Sequence, residues 1–277
     1  MTSNWILDKN GIHIPQLTDE KISYPEEGND FCFAVEDNSD WFKYRNDLIL
    51  YFLKKYNVTG DFLDIGGGNG FQIQAIEDAN LISGNSILIE PGYSGCLNAK
   101  KRNCKLIFNG FFQNFDFSKF HVTNYGLFDV IEHIEDDIQF LNELYDIIPK
   151  NSRIFINVPA RMKYWSQTDL FAGHYRRYEN SDLNRITSLT KFKLVDSSYY
   201  FNFYIIPLFI LRILPEKLGF KKSEDELIAA ETRNLTSVTK QSLLNRLFLF
   251  LHTKSMKNIQ RGKRIKNGTS LFFVLEK

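Results

Sequence analysis

Cysteine is scarce: three residues among 277, Cys32, Cys96 and Cys104, stand far apart with no CxxC pair and no cysteine–histidine cluster. That excludes a disulfide framework and a zinc site and fits a reducing, cytoplasmic setting. The first ten residues, Met1 to Asn10, contain no basic start followed by an apolar run, so no secretory signal is expected. Long hydrophobic runs are also missing. The most apolar stretch, Tyr199 to Leu214, is broken by Asn202, Pro207 and Arg212 and falls short of the roughly 20 apolar residues of a spanning helix. No repeat, low-complexity tract or basic stripe interleaved with aromatics is present, so nucleic acid is not an expected partner.

The composition that remains, 43% hydrophobic and 24% charged, is that of an ordinary globular chain and rules out disorder, collagen and coiled coil. The net charge of +1 hides an asymmetry. Residues 1–200 carry 20 basic against 27 acidic side chains, and residues 201–277 carry 14 against 6.

Residues 1–30, punctuated by Gly11, Pro15, Pro25 and Gly28, read as short extended pieces or loop. Ser39 or Asp40 can then cap a helix over Trp41 to Lys55, with apolar positions at helical spacing. From Phe62 onward short apolar runs alternate with longer amphipathic stretches. Strands are expected at Phe62–Ile65, Ser86–Glu90, Lys105–Phe108, Tyr125–Asp129 and Arg153–Val158, with helices near 70–80, 94–103, 137–148 and 180–189. Phe192–Tyr199 and Ser270–Glu276 read as two further strands. The pattern predicts an α/β fold, a Rossmann-like seven-stranded, mostly parallel sheet with helices on both faces. It divides the chain into an N-terminal extension and helix (1–57), a core (58–200), a helical cap insertion (201–268, with a helix over Gln241–His252) and the last core strand (269–277).

The strongest local motif is Phe62-Leu-Asp64-Ile-Gly66-Gly-Gly68-Asn-Gly70. A strand that ends in glycines lets the backbone turn sharply and present N–H groups and a helix N-terminus to a nucleotide-like ligand. The dinucleotide pattern GxGxxG would need glycine at 71, where Phe71 stands. Asp64 can bind a cationic amino group, and Glu90, twenty residues after Gly70, stands where an acid hydrogen-bonds ribose hydroxyls.

These residues resemble the first motif and ribose acid of class I S-adenosylmethionine-dependent methyltransferases. Asp129-Val-Ile-Glu132-His133-Ile-Glu-Asp-Asp137 is similar to the DVxEHxxDD segment of the branch that includes ubiquinone-type O-methyltransferases. The stretch Val158-Pro-Ala160, Trp165-Ser166, Asp169 and Gly173-His174-Tyr-Arg176-Arg177-Tyr178 resembles the VPA…WS…D…GHxRRY segment of a bacterial subgroup, and Trp41-Phe-Lys-Tyr-Arg45-Asn46 resembles that subgroup's WFxxRN helix. The resemblance covers roughly residues 36–200 and the last strand. It implies S-adenosylmethionine as cofactor and methyl transfer to a small-molecule acceptor: an oxygen of a sugar, a lipid-linked glycan or a natural product. A binding protein without turnover, acting as sensor or scaffold, is the alternative.

Within that frame Asp64, Gly66, Gly68, Gly70, Glu90 and Asp129 are the expected cofactor contacts, with Gly110 and Phe111 where the adenine would lie. His174 and His133 follow the strands that face the transferred methyl and are the expected catalytic residues, His174 foremost. Tyr164, Trp165, Arg176 and Arg177 are candidates for the acceptor pocket, one arginine gripping an anionic group while the other pairs with an acid such as Asp169 or Asp182. Trp41, Tyr44 and Arg45 would form a lid. A Glu-His pair similar to Glu132 and His133 has been linked to a divalent metal in ubiquinone-type relatives; no third ligand is evident in the sequence, and no metal is expected. The segment 203–222, flanked by Arg212, Lys217, Lys221 and Lys222, can rest on an anionic membrane surface. The favoured reading is a cap over the active site with Ile205, Ile206, Phe209 and Ile213 buried.

Overall fold

The computed structural model describes residues 5–15, 26–220, 222–223, 226–227 and 243–277. Its strands are β1 (Trp5–Leu7), β2 (His13–Pro15), β3 (Asp61–Ile65), β4 (Ser86–Glu90), β5 (Leu106–Asn109), β6 (Val122–Phe128), β7 (Arg153–Pro159), β8 (Lys193–Tyr200) and β9 (Ser270–Glu276). They form one sheet in the order β1-β2-β5-β4-β3-β6-β7-β9-β8. The centre, β5-β4-β3-β6-β7, is parallel; β9 pairs antiparallel with both β7 and β8. Strand order reverses between β3 and β6, and in open sheets of this kind a ligand crevice forms at the carboxyl ends beside that point.

The sheet has nine strands where seven were expected. The two additions, β1 and β2, pair antiparallel with each other and join the β5 edge through His13 and Phe108. At three residues each they are too short to show a period-two pattern. The same N-terminal stretch holds helix α1 (Glu26–Glu36), where loop was expected. Gly28, read there as a breaker, lies in the first turn of this helix, and Pro25 lies outside the described residues.

The remaining helices follow the amphipathic stretches: α2 (Asp40–Lys55), α3 (Phe71–Asp78), α4 (Tyr93–Lys101), α5 (Asp137–Ile147), α6 (Gln167–Phe171) and α7 (Asn180–Leu189). α2 buries Phe42, Leu48, Ile49, Phe52 and Leu53, and Phe52 stacks on Phe272 of β9 with ring centres 4.5 Å apart. Alternate side chains of the parallel strands feed two cores, one on each sheet face. Leu63, Ile87, Leu127 and Ile156 lie in one; Phe62, Leu88, Phe128 and Phe155 lie in the other.

The insertion begins with α8 (Ile205–Leu208), continues through a π-helical turn (Phe209–Ile213) and ends in α9 (Leu214–Lys217); α10 (Leu243–Gln260) then returns to β9. The expected helix Gln241–His252 thus coincides with the first part of α10, with 241 and 242 outside the described residues, as is Lys221. The burial expected of a cap is found only in part. Ile213 is buried at 1% exposure and Ile205 is half-buried, but Ile206 is 69% and Phe209 41% exposed.

Candidate functional site

β3 ends at Ile65 and the chain turns through Gly66, Gly68 and Gly70, all at positive φ (71°, 50° and 74°), before α3 starts. A Cβ on Gly70 would lie 2.6 Å from Cys104 Sγ, so only glycine fits there. A Cβ on Gly68 would meet nothing closer than Asn29 Oδ1 at 3.8 Å, so the loop's open side is at this residue. Asp64 is 1% exposed, and neither of its carboxylate oxygens has a hydrogen-bond partner. Burial, followed in importance by the opposing pull of Arg45 and the push of Glu90, leaves its pKa raised to about 7. A buried, unpaired acid beside a glycine loop is suited to a cationic group.

Glu90, at the end of β4, is held by two backbone donors: Gly68 N–H at 2.9 Å and Gly92 N–H at 2.7 Å. Burial raises it to about 7 against those bonds and the Asn29 side-chain amide. Two features here had no readable sequence signal. Asn29 arrives from α1, and Asn69 of the loop donates to its carbonyl at 2.9 Å. Trp5 of β1 covers Gly110: a Cβ there would lie 3.0 Å from the indole, whose N–H donates to the Asn114 carbonyl at 3.2 Å. Phe111 follows, half-buried.

Asp129 lies one residue beyond β6 at φ 59°, a left-handed conformation that turns its side chain out of the strand's alternation. One oxygen accepts from Asn157 of β7 at 2.7 Å and the other pairs with Arg45 of α2. The three expected lid residues therefore diverge. Arg45 is buried in the site, its guanidinium over Trp41 and Phe42, while Tyr44 points away and stacks on His252 of α10 at 4.0 Å.

The acceptor side is built after β7. Ser166 and Asp169 form a capping box on α6, with Ser166 N–H donating to Asp169 at 2.9 Å. Gly173, at φ 73°, turns the chain so that His174 comes back over that helix. His174 Nδ1 lies 3.0 Å from Asp169 Oδ1, and Arg177 grips the same carboxylate with Nε at 2.7 Å and a terminal nitrogen at 3.0 Å. Burial would raise Asp169, but the bonds from His174 and Arg177 hold it down to about 2. The imidazole is thereby fixed with Nε2 turned away from the acid. Asp169 was named in the sequence only as a neighbour; its role as the anchor of this cluster needed the fold.

His133 meets His174 edge to face, centroids 4.7 Å apart, and burial together with His174 lowers it to about 3. Glu132 is fully buried, with neither carboxylate oxygen bonded, and burial aided by Asp129 pushes it well above the carboxylate range. Donor atoms of Glu132, His133 and His174 lie within 4.8 Å of one another, a grouping able to hold a metal ion. His174 is the third donor that the linear spacing of the Glu-His pair did not offer.

The arginines do not present free guanidinium groups. Arg177 is spent on Asp169, whereas Arg176 donates to the carbonyls of Ile134 and Glu135 and lies 3.2 Å from Asp137. Both therefore tie the loop to its surroundings. Tyr164 is buried at 4% exposure and Trp165 half-buried. Tyr164 borders a groove of about 470 Å³ whose other walls are Lys163, Ile205, Ile206, Phe209, Ile210 and Lys217.

No family model and no curated protein matches the chain. Solved structures do. A phosphoethanolamine N-methyltransferase 2 of Haemonchus contortus with bound S-adenosylmethionine superposes at a TM-score of 0.53 and 14% identity over 96% of this chain, which spans 61% of that enzyme's length. The complex of the Haloferax volcanii Trm112 methyltransferase activator with a methyltransferase gives 0.55 at 11% identity, covering 92% of this chain and 99% of the matched one. The plantazolicin methyltransferase BpumL, bound to a substrate analogue and S-adenosylhomocysteine, gives 0.52 at 14% identity over 90% and 89%. The fold is the α/β fold of these methyltransferases.

Proposed function

We propose that the chain transfers the methyl group of S-adenosylmethionine to a small-molecule acceptor, with an oxygen of a sugar, a lipid-linked glycan or a natural product as the favoured atom. The observation that carries this reading is the dry, unpartnered Asp64 carboxylate beside the glycine loop, with Glu90 at the next strand end. That donor set fits the group: a cationic amino end for Asp64, ribose hydroxyls for Glu90, and backbone N–H groups between them. Gly110 and Phe111 border the place for the base. The bound S-adenosylmethionine would supply a sulfonium methyl group, an electrophile open to in-line attack.

The chain's own task is to hold the acceptor and take its proton. His174 suits the second role, because Asp169 fixes Nδ1 and leaves Nε2 as the basic nitrogen. His174 Nε2 would accept the proton that the acceptor hydroxyl gives up as its oxygen is methylated. Tyr164 and Trp165 would wall the acceptor, and Arg45 with Asn157 keeps Asp129 in place. A sensor or scaffold that binds without turnover has no use for an imidazole oriented by a buried acid.

The test is direct. Purified protein is incubated with S-adenosylmethionine and a panel of nucleotide sugars, phenols and lipid-linked sugars while S-adenosylhomocysteine release is recorded, with cofactor binding followed by calorimetry. Binding plus acceptor-dependent release is expected. Absence of any S-adenosylmethionine binding would overturn the assignment, and binding without release across all acceptors would favour the sensor.

A further inference from the structure

The helices of the C-terminal insertion carry an unusual exposed surface. Ile206, Ile210, Leu211, Leu218 and Phe220 are between 53% and 69% exposed and succeed one another along 15 residues of chain. α10 continues this surface. It is joined to the start of the insertion by Phe248, which stacks on Tyr204 with centroids 5.0 Å apart, while Leu249 and Phe250 beside it are 53% and 62% exposed. The C-terminal half of α10 is anchored on the body by buried Met256 and Ile259 and by the His252–Asp47 pair at 2.9 Å. In its N-terminal half Phe248 packs on the start of the insertion, while Leu247, Leu249 and Phe250 are 50% to 62% exposed. A helix apolar on most sides is ordinarily buried, and large contiguous exposed apolar surface marks an interaction site.

Charge identifies what would cover it. Lys163 and Lys217 line the same groove as Tyr164, Ile206, Phe209 and Ile210; Lys222, whose N–H donates to Gln167 Oε1 at 3.0 Å, is exposed, as is Arg246 on α10. The one acid within α9, Glu216, is drawn inward to accept the Gln167 N–H at 3.0 Å. The whole last quarter carries 14 basic against 6 acidic residues, while the rest of the chain is acidic. Apolar side chains that project outward, with lysines around them, match the interface of an anionic bilayer: chains enter the acyl boundary and ammonium groups meet phosphates. No helix among the described residues is long and apolar enough to cross a membrane, so the contact would be peripheral.

We propose that this face docks on an anionic lipid surface, with the groove between Tyr164 and α8 opening toward the bilayer. The docking itself requires neither cofactor nor turnover, so its test is independent of the methyl-transfer reading. Flotation of the full chain with phosphatidylcholine vesicles, with and without phosphatidylglycerol, at low and high salt, measures it. Flotation only with phosphatidylglycerol, weakened by salt, is expected. An Ile210→Asp/Leu211→Asp variant should cease to float, and a Lys217→Ala/Lys222→Ala variant should lose about 25-fold in partitioning, at roughly fivefold per lysine. All four side chains lie on the surface, and unchanged circular dichroism and melting temperature would show that the variants fold.

Three results would overturn the proposal. The first is failure of the wild type to float. The second is equal flotation of wild type and both variants. The third is a concentration-dependent dimer, seen by sedimentation without vesicles and broken by Ile210→Asp/Leu211→Asp, which would assign the face to a second copy of the chain.

Discussion

A buried carboxylate without a partner is a cost the fold carries for a ligand, and Asp64 is the clearest case here. Burial raises its pKa to about 7, so the carboxyl is partly protonated near neutrality, whereas a cationic amino group would demand the charged form. S-adenosylmethionine affinity should therefore rise with pH through about 7, with proton release on binding. Calorimetry in buffers of different ionisation enthalpy would show this, and Asp64→Asn should reduce the proton release to what Glu90 contributes. Glu90→Ala should weaken binding by roughly 1–3 kcal/mol through lost hydrogen bonds. Gly68→Val should end binding without unfolding the chain, since a side chain at φ 50° is strained and projects into the open side of the loop. On the acceptor side, His174→Ala should lower turnover by about 10²–10⁴ while leaving cofactor affinity intact. His133→Ala should do less; wild-type turnover in His174→Ala would make that histidine structural. The residue types of the cofactor side were legible because strand–glycine loop–helix is a local pattern. Asp169, Asn29 and Trp5 were not, because each acts through a partner distant in sequence or recruited by a turn.

At the scale of elements, α1 closes the glycine loop. Arg102 of the α4 C-terminus pairs with Glu36 at 3.1 Å and Asp37 at 2.6 Å, lying over Phe33 and Phe71, and Asn98 holds Asp30 at 2.8 Å. Arg102 and Glu36 are both buried, so removing the cation leaves an uncompensated acid. Breaking such a pair costs about 3–5 kcal/mol, more than one short helix can hold locally. In Arg102→Ala the amides of α1 should exchange with deuterium far faster while those of β4 and β6 change little. Uniform protection across both would show that α1 does not open separately. The helix escaped the sequence reading because its stability comes from these tertiary ion pairs and not from its own weak amphipathic pattern.

For the molecule as a whole, the buried acids oppose one another in pH. Asp64 and Glu90 bind protons more tightly in the native state, so their contribution favours the fold below about 4 and is lost as pH rises to about 7. Asp169, held at about 2, contributes above its ordinary 3.8 and is lost as pH falls toward 2. Unliganded protein should be most stable between these windows, in mildly acid solution, and S-adenosylmethionine should restore stability at neutral pH. Thermal unfolding from pH 3 to 8, with and without ligand, checks both statements. An unliganded optimum at or above pH 8 would contradict the buried-acid account.

The sequence by itself determined the alternation of elements, seven strands of a mostly parallel sheet, the glycine loop and the acid at the end of β4. All of these rest on periodicity and short-range backbone chemistry, which operate within about twenty residues. Only the tertiary structure decided that β1 and β2 extend the sheet, that Arg176 pairs with Asp137 and Arg177 with Asp169, and that His174 joins Glu132 and His133. It also decided that Ile206 and Phe209 face outward. Burial and pairing depend on which surfaces meet across the chain, and a hydrophobic run has the same letters whether it faces a core or a membrane.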